Sequence, residues 1–339
     1  MRAMLLTAPS VLEIVDQPDP VLEGLDAVVV RVRAASVCGS DTHGYTGKGG
    51  RRVPPLVMGH EASGEVEAVG ADVSNVKLGD RIFIMPMVWC GVCSACLAGA
   101  FDVCPNRKVY GADLPGAFAE RVSIRARTAV PLPDDVTFLQ AALIEPLAVV
   151  VKGTSRSTVH AGDTVAVVGA GPIGLLSIAV MAQHRPRHLI VLEPQATRRQ
   201  LALAMGATIA LDPNHPETLM QVRAMTGGQG VHVAVEAVGS SASVKTTVDV
   251  IAPGGQMVWL GNVGRVVEID EFKVVWNSLT IHASVGVTRS AVVRAIELIT
   301  SGAVEVERIV SLAVPLEEGV EAFHRTAQDP VVVKTVLLP

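Results

Sequence analysis

The chain has 339 residues, more than one ordinary hydrophobic core supports, so two domains are expected. Hydrophobic residues make up 49% of the sequence and charged residues only 18%, which excludes an intrinsically disordered protein. The formal net charge of -5 comes without a stripe of basic residues, so no nucleic-acid partner is expected.

Neither a targeting segment nor a membrane span is predicted. The apolar part of the N-terminal segment is too short for a secretion signal. Residues 165–182 form a stretch of 18 residues without a charge, which is the lower limit for a transmembrane helix. Three glycines and a proline interrupt this stretch, so a buried strand, a turn and a helix explain it better. We therefore expect a soluble, cytoplasmic protein without a membrane partner.

The first part of the chain is typical of an antiparallel β domain with few helices. Short runs rich in valine and isoleucine, at residues 27–32, 64–69 and 81–85, alternate with glycine, proline and aspartate. This domain is expected to cover residues 1–152.

The pattern then changes to strands in alternation with helices, over residues 153–287. Six strands with helices between them predict an α/β fold with a doubly wound, parallel Rossmann sheet. The predicted strands are residues 164–168, 188–192, 208–211, 231–236, 256–260 and 278–283, and the predicted helices include residues 172–183, 197–205 and 216–225.

The tail of the chain, residues 288–339, returns to a mixed pattern. It predicts a helix at residues 290–300, strands at 309–314 and 331–338, and a helix between these strands. We expect the tail to pack on the first domain and complete it, which would make that domain discontinuous in sequence.

Four of the five cysteines follow the spacing C-x2-C-x2-C-x7-C. Spacings of two residues let a tight loop direct neighbouring thiolates at one tetrahedral ion, so Cys90, Cys93, Cys96 and Cys104 are predicted to bind a structural zinc. A disulfide cluster is the alternative, but it requires an oxidising compartment and no export signal is visible. Zinc would hold together a loop that burial alone cannot stabilise.

The remaining cysteine, Cys38, opens the segment CGSDTH, which also contains Ser40 and His43. The segment GHE, with His60 and Glu61, follows further along the chain. A thiol, an imidazole and carboxylates are the ligand types of a catalytic zinc with an open coordination position. Taken singly, Cys38 could be a small buried side chain, His60 a core histidine and Glu61 a solvated carboxylate.

A further candidate, Glu145, is the lone acid in the apolar run LIEPLAVVV. Burying an unpaired carboxylate costs several kcal/mol, so a buried Glu145 requires a cation or hydrogen-bond donors. A surface position at the end of a helix is the alternative.

The segment VAVVGAGPIGLL contains the motif G-x-G-x-x-G at Gly169, Gly171 and Gly174. The motif follows an apolar strand, opens a helix and precedes an acid, Glu193, which is the context that dinucleotide binding requires. Gly169 permits the tight turn, Gly171 the approach of the pyrophosphate and Gly174 the contact between helix and strand. The helix N-terminus offers N–H groups to the phosphates.

The acid at the end of the second strand, Glu193, bears on the choice of cofactor. A carboxylate there accepts hydrogen bonds from the ribose hydroxyls and repels a 2′-phosphate, which favours NAD over NADP. Arg198 and Arg199 favour the opposite, because a guanidinium near this position could bind that phosphate. An exposed helix face is the simpler explanation for both arginines.

In combination, these motifs resemble those of the zinc-containing medium-chain dehydrogenases, most closely the sorbitol (polyol) and butanediol dehydrogenase branch. The resemblance extends nearly from end to end, through CGSDTH, GHEASGEVEAVG, the four-cysteine loop, GAFAERV, IEPLAV, GAGPIGLL, GGQGVHVAVEAVG and PGGQMVWLG. It implies a mainly β, GroES-like catalytic domain beside the Rossmann domain. It also implies that Pro172, Ile173, Val238 and Gly261 contact the cofactor.

The resemblance implies two zinc ions per chain, one structural and one catalytic. Cys38 and His60 would bind the catalytic ion. Glu145 stands where alcohol dehydrogenases of this family have a second cysteine, a departure that the polyol branch shares. In that branch either Glu61 or Glu145 is a candidate ligand, and exchange between the two carboxylates is possible.

The implied reaction is hydride transfer between an alcohol and NAD, with zinc as the Lewis acid. By resemblance, Ser40 would accept the alcohol proton and pass it through the cofactor ribose to His43, whose imidazole suits proton transfer near neutral pH. The ordinary alternatives are a hydroxyl that caps a turn for Ser40 and a surface side chain for His43.

The expected protein is therefore an oxidoreductase for a polyol or another secondary alcohol, assembled as a homotetramer or homodimer. A cyclitol, an amino alcohol or a hydroxy-amino acid is the alternative substrate for the same chemistry. A relative with only a binding or structural role is disfavoured, because such relatives would be expected to lose the ligand and relay residues that are all present here.

Overall fold

The computed structural model describes residues 1–47, 50–262, 264 and 266–339. Over these residues the fold consists of two compact units. Unit 1 contains Met1–Glu145, Gly286–Thr300 and Ile309–Pro339, and unit 2 contains Pro146–Val285 and Ser301–Arg308. The domain boundaries after residues 152 and 287 stay a prediction.

The first part of unit 1 is built mainly from strands. In the longest strand, AVVVRVRAAS, the two arginines are exposed and the remaining residues are buried, because one face of the strand lies in the core. The elements in chain order are β1 (Arg2–Ala8), β2 (Val11–Asp16), β3 (Ala27–Ser36), α1 (Gly39–Gly44), β4 (Leu56–Val57), β5 (Glu61–Val69), β6 (Arg81–Ile84), β7 (Met87–Val88), α2 (Ser94–Leu97), β8 (Lys108–Val109), β9 (Arg121–Arg125), β10 (Ala129–Pro131) and α3 (Phe138–Ala142).

Unit 2 alternates helices and strands, as the sequence predicts. Helix α4 (Ile144–Thr154) begins in unit 1 and continues into unit 2. The other elements of unit 2 are β11 (Thr164–Val168), α5 (Pro172–Ala182), β12 (His188–Leu192), α6 (Ala196–Ala204), β13 (Ile209–Leu211), α7 (Thr218–Met225), β14 (Val231–Glu236), α8 (Ser241–Val250), β15 (Ile251–Trp259), α9 (Glu271–Trp276) and β16 (Thr280–Ala283). Every residue of β11, with the sequence TVAVV, is buried, as expected for a parallel strand covered on both faces.

The described strands of unit 2 form a parallel sheet in the order β13-β12-β11-β14-β15-β16. This order is that of a doubly wound Rossmann sheet, so the predicted α/β fold is confirmed. The uncharged stretch 165–182 divides into β11, a glycine-containing turn and α5. Within the described ranges, no helix is long and apolar enough to cross a membrane.

The C-terminal part of the chain returns to unit 1. It contributes α10 (Arg289–Thr300), β17 (Val310–Pro315), α11 (Gly319–Gln328) and β18 (Lys334–Leu338). β18 pairs parallel with β17 and antiparallel with β3. Short 3-10 turns cover Phe101–Val103, Ala126–Thr128, Val306–Ile309 and Leu316–Glu318.

The main sheet of unit 1 brings distant parts of the sequence together. Its described strands follow the order β10-β6-β5-β3-β18-β17, and β9 also pairs with β3. Ser36, at the end of β3, lies opposite Glu61, at the start of β5. On the other side of β3, β18 begins with Lys334. The ends of these strands therefore meet just before Cys38.

The fold of unit 2 gives a first testable prediction, at the glycine turn after β11. A Cβ atom on Gly174 would overlap the carbonyl oxygen of Gly169, whereas one on Gly171 would meet no atom within 4 Å. We expect Gly174→Ala to lower the free energy of unfolding by about 1–3 kcal/mol, the usual cost of overpacking. The matched control Gly171→Ala should change it by no more than about 0.5 kcal/mol. Urea unfolding of the cofactor-free protein measures both, and equal losses would contradict the prediction.

Candidate active site, metal centres and dinucleotide loop

The four clustered cysteines lie on a loop of unit 1 around α2. The sulfur atoms of Cys90 and Cys96 are 3.9 Å apart, those of Cys93 and Cys104 3.8 Å, and those of Cys104 and Cys90 3.6 Å. Four thiolates around zinc at about 2.3 Å form a tetrahedron with edges of about 3.8 Å, so the observed spacing fits this ion. Each cysteine of the chain, all within the described ranges, is a free thiol.

The local backbone stabilises one thiolate of this loop. The N–H groups of Val92 and Cys93 lower the pKa of the Cys90 thiol to about 6, whereas desolvation and the neighbouring thiols raise the pKa of Cys96 to about 12. The thiolate is the form of cysteine that binds a metal. The residues of α2 are not buried, so the hydrophobic core contributes little to holding the loop.

A second group of metal-ligating side chains consists of Cys38, His60 and Glu61. One ligand atom of each lies within 4.8 Å of the others. Cys38 is the half-buried N-cap of α1, and His60 and Glu61 are buried at the start of β5. The buried positions of His60 and Glu61 agree with a metal site and not with a solvated carboxylate. Glu145, the other predicted ligand, is not part of this group.

Asp41, for which no role was predicted, lies behind His60. Its carboxylate is fully buried, and Oδ1 lies 3.3 Å from His60 Nδ1 and 2.7 Å from Arg52 Nη2. Burial opposes ionisation, but His60 and Arg52 lower the pKa of Asp41 to about 2. Burial also opposes the charged imidazole, but Asp41 raises the pKa of His60 well above its usual value. A carboxylate of this kind orients a histidine whose other ring nitrogen binds a metal.

A buried ion pair holds Glu61. Lys334 is only 1% exposed, and its Nζ donates to Glu61 Oε2 at 2.5 Å and to the carbonyl oxygen of Val37 at 3.0 Å. Ser36 Oγ donates to the same carboxylate oxygen. Burial disfavours the ammonium, but the negative charges of Glu61 and Cys38 raise the pKa of Lys334 above its usual value. The lysine is therefore charged in the interior.

Glu145 lies in the first turn of α4 and is buried. Burial, followed by the charge of Glu61, raises the pKa of Glu145 to about 7. The surface position considered for this residue is therefore wrong. A carboxylate near Glu61 that is partly protonated at neutral pH can act either as a hydrogen-bond donor or as a ligand.

The two predicted relay residues lie on α1, three positions apart and therefore on one face. Ser40 N–H donates to Cys38 Sγ at 3.4 Å, and Ser40 Oγ accepts from Arg52 Nη2 at 3.2 Å. His43 is exposed in the last turn of the helix. The helix therefore leads from the candidate metal ligand Cys38 to an imidazole at the surface.

The glycine motif begins directly after β11. Gly169 has a φ of +94°, and a Cβ there would overlap the Val238 side chain. Gly171 is the N-cap of α5, and a Cβ on it would enter open space. Pro172 and Ile173 form the first turn. No side chain among the described residues caps this 11-residue helix, so its N-terminus fits a phosphate group.

Glu193 follows β12, and its buried carboxylate faces the glycine turn. Oε2 accepts from Ala170 N–H at 2.7 Å and Oε1 from Gln195 N–H at 2.9 Å. Each oxygen keeps a further lone pair for a ribose hydroxyl. Arg199 donates to two backbone carbonyls, those of Glu193 and the next residue, at 2.7 Å each. Arg198 is half-buried in α6, so neither arginine has the fully exposed position considered above.

Glu236, for which no role was predicted either, connects Val238 and Gly261, the remaining two positions predicted to bind the cofactor. Its carboxylate, buried at the end of β14, accepts from the N–H groups of Val238 at 3.0 Å and Gly239 at 2.8 Å. Its carbonyl oxygen accepts from the N–H groups of Leu260 at 2.9 Å and Gly261 at 3.0 Å. Val238 and Gly261 therefore lie at the carboxyl edge of the sheet, where dinucleotides bind in such folds.

The residues that sequence reasoning missed are polar and buried or nearly so. The sequence does contain a signal for the buried position of Lys334, because this lysine is the lone charge in the apolar run VVVKTVLLP. Glu145 is the lone charge of its run, LIEPLAVVV, in the same way. Asp41 and Arg52 lie in polar segments, and Glu236 ends an ordinary strand. No local pattern distinguishes these three from solvated residues.

Comparison with known proteins agrees with this geometry. The family "Alcohol dehydrogenase GroES-like domain" matches residues 24–134, and the family "Zinc-binding dehydrogenase" matches residues 172–301. Sorbitol dehydrogenase from Bacillus subtilis (strain 168) is 31% identical over 310 residues, which cover 89% of this chain and 87% of that protein. L-threonine 3-dehydrogenase from Thermococcus kodakarensis is 35% identical over 297 residues, 84% of this chain and 83% of that protein.

A solved structure from Sinorhizobium meliloti 1021, bound to NADP, has a TM-score of 0.92 and 31% identity, covering 100% of this chain and 99% of that chain. With these matches, the chain belongs to the zinc-containing medium-chain dehydrogenase family. It is an alcohol dehydrogenase-type oxidoreductase that uses zinc and a nicotinamide dinucleotide. The predicted family, enzyme class, cofactor types and GroES-like-plus-Rossmann fold are confirmed, and the roles of single residues stay predictions.

The ion pair of Lys334 and Glu61 gives a second testable prediction. We expect Lys334→Met to lower the free energy of unfolding of the metal-free protein by roughly 3–5 kcal/mol, because it leaves the Glu61 carboxylate buried without a cation. The double variant Lys334→Met/Glu61→Gln should recover most of this loss, since both charges are then absent.

Urea unfolding after chelation measures the effect. The matched control is Lys245→Met, which removes a lysine that is 72% exposed and paired with Asp249 on one helix. This exposed pair should contribute no more than about 0.5 kcal/mol. Losses of similar size at Lys334 and Lys245 would show that the buried pair does not have the expected strength.

Proposed function

We propose that this dehydrogenase interconverts a polyol, or another secondary alcohol, and its ketone with NAD. The observation that carries the proposal is the meeting of one thiol, one imidazole and one carboxylate at Cys38, His60 and Glu61, with ligand atoms within 4.8 Å of one another. Glu145, a carboxylate where simple alcohol dehydrogenases of the family have a second cysteine, makes the chain resemble the polyol branch more than those enzymes.

Cys38, His60 and Glu61 would hold the catalytic zinc. Their donor atoms are close enough for one ion, and thiolate, imidazole and carboxylate are the donors that zinc prefers. Glu145 is near enough to influence Glu61 electrostatically, and we assign it to exchange with Glu61 or to a hydrogen bond at the open position. When bound, zinc supplies a Lewis acid and the nicotinamide a hydride acceptor.

The chain's own residues then have to remove the alcohol proton. We assign Ser40 as the first proton acceptor, because it lies two residues after the candidate ligand Cys38. We assign His43 as the group that exchanges the proton with solvent. An imidazole performs this exchange near neutral pH. Asp41 holds His60 in orientation from behind, and Lys334 holds Glu61.

Cys90, Cys93, Cys96 and Cys104 would bind the second, structural zinc. The spacing of their sulfur atoms supports this assignment. A closed set of four thiolates leaves no position for substrate, so this ion stabilises the loop and takes no part in the reaction.

The position of Glu193 favours NAD over NADP for this chain. Its carboxylate is fixed beside the glycine turn by two backbone N–H groups and would repel a 2′-phosphate. Arg199 is held by two carbonyls and lies 3.7 Å from Asp212, so its charge is already matched. The Sinorhizobium meliloti neighbour was solved with NADP, so the preference has to be measured.

A hydroxy-amino acid is the second candidate substrate. The observation that favours it is the L-threonine 3-dehydrogenase relative, whose identity of 35% exceeds that of the sorbitol dehydrogenase. Cyclitols and amino alcohols require the same zinc and hydride chemistry.

We further propose a homodimer or homotetramer in the cytoplasm. β16 is the edge of the described sheet of unit 2 and is largely exposed. The preceding helix, α9, exposes Phe272, Val275 and Trp276 by 65–76%. An exposed edge strand beside an apolar surface suits pairing with a second copy. The five free thiols suit a reducing compartment.

The function is tested by NAD reduction across polyols, diols, cyclitols, amino alcohols and threonine. We expect turnover of at least one polyol or diol, lost on chelation and restored by Zn²⁺. Cys38→Ser should lower kcat by about 10²–10³-fold, since Lewis-acid stabilisation amounts to several kcal/mol. Elemental analysis should find two zinc ions per chain in the wild type and one in this variant.

Activity that survives complete zinc removal would refute the mechanism, and full activity of Cys38→Ser would refute the ligand assignment. Oxidation of threonine alone would move the substrate to the second candidate. Faster reduction of NADP than of NAD would overturn the role given to Glu193.

The proposed assembly is tested by light scattering coupled to size-exclusion chromatography. We expect the wild type to elute as an oligomer and Trp276→Glu to shift it towards smaller species, because a charge on the apolar surface opposes its burial. Leu78→Glu is the matched control, at a residue of unit 1 that is 63% exposed, and should leave the mass unchanged. A monomeric wild type, or an unchanged mass for Trp276→Glu, would count against this interface.

A further inference from the structure

Arg52 is a nearly buried arginine in the neighbourhood of the candidate metal ligands. Its side chain is only 9% exposed. Nη2 donates to Asp41 Oδ1 at 2.7 Å and to Ser40 Oγ at 3.2 Å. One guanidinium nitrogen thus joins the carboxylate behind His60 to the hydroxyl assigned to the proton relay.

The direction of the hydrogen bond to Ser40 matters chemically. A guanidinium has no acceptor and stays protonated in proteins, so Arg52 can only donate to Ser40. A serine hydroxyl has two lone pairs and one hydrogen. With one lone pair bound to Arg52, the other remains to accept a proton from the substrate, and the O–H is left to donate onward.

We propose that Arg52 is a positioning residue that fixes the direction of proton transfer through Ser40. The inference rests on the proposed function, because it presumes that Ser40 accepts the alcohol proton. Without Arg52 the hydroxyl can rotate and present its hydrogen towards the substrate, where it would act as a donor and could not take up a proton.

Other parts of the fold keep the guanidinium in place. Asp41 is fully buried, and its Oδ1 anchors Nη2 through a hydrogen bond of 2.7 Å. Gly44, on the same helix, leaves room for the arginine stem: a Cβ there would lie 2.5 Å from Arg52 Cδ. The neighbouring Arg51 differs, since it is 52% exposed and pairs with Asp113.

A double-mutant cycle between Arg52 and Ser40 tests the proposal. Arg52→Lys keeps a cation for Asp41, but the shorter lysine side chain does not place its ammonium where Nη2 contacts both Asp41 and Ser40. We expect Arg52→Lys to lower kcat by about 10-fold, part of the 10²–10⁴-fold that a positioned proton acceptor contributes. KM for NAD should stay within about 2-fold of wild type, and the solvent deuterium isotope effect on kcat should increase.

The decisive comparison is made in the Ser40→Ala background. If Arg52 acts through Ser40, the double variant has the same kcat as Ser40→Ala alone, because the two residues form one unit. Arg51→Lys is the matched control and should leave kcat unchanged. Crystal structures give a readout independent of turnover: a single Ser40 rotamer in the wild type and more than one in Arg52→Lys.

Three outcomes would overturn the inference. The first is that Arg52→Lys lowers kcat by the same factor in the wild type and in the Ser40→Ala background, which would show that Arg52 acts independently of Ser40. The second is loss of zinc from Arg52→Lys by elemental analysis, which would place its role at Asp41 and His60. The third is a wild type without NAD-linked alcohol oxidation, which refutes the proposed function and the inference with it. The first two leave the proposed function intact.

Discussion

The carboxylates of Asp41, Glu61 and Glu145 are buried close to Cys38 and His60, and the interior of unit 1 has to balance this negative charge. An unpaired carboxylate in such a place costs several kcal/mol. Arg52 balances Asp41, and Lys334 balances Glu61. The charge of Glu145 varies most readily among the three, because its pKa of about 7 lets both the neutral and the charged form exist near neutral pH. A divalent cation beside it would favour the charged form.

The strand order of unit 1 makes this balance possible. β3 lies between β5 and β18, so Ser36 meets Glu61 from one neighbouring strand, and Val37 accepts a hydrogen bond from Lys334 of the other. Strands hold these backbones by ladders of hydrogen bonds, which position side chains more firmly than a loop does. The helix that starts at Cys38 then carries Ser40 and Asp41 at fixed angles to the same centre. The sheet therefore supplies the pair of Glu61 and Lys334, and one short helix supplies Ser40 and Asp41.

Local patterns predicted much of the fold and of the site, and long-range contacts account for what they missed. Three of the six strands of unit 2 (β11, β12 and β14) match their predicted bounds because each is a mainly apolar run, and the cysteine and glycine motifs are equally local. β15 begins at Ile251, earlier than predicted, but its pairing with β14 is interrupted between Ile251 and Gln256. Gly254 has a φ of +74° there, so the Pro-Gly-Gly that indicates a turn is an irregularity within the strand. Lys334 and Glu61 are 273 residues apart, and only the sheet register brings them together.

This separation has a consequence for how the protein is made. A ribosome adds roughly 5–20 residues per second, so Lys334 emerges roughly 15–55 s after Glu61. The parallel sheet of unit 2 lies between them in the sequence and can form first on the nascent chain. Until the last strand arrives, the Glu61 carboxylate lacks the lysine that balances its charge. A chain that stops before β18 therefore leaves this carboxylate without its buried cation, although the sequence of unit 2 is complete.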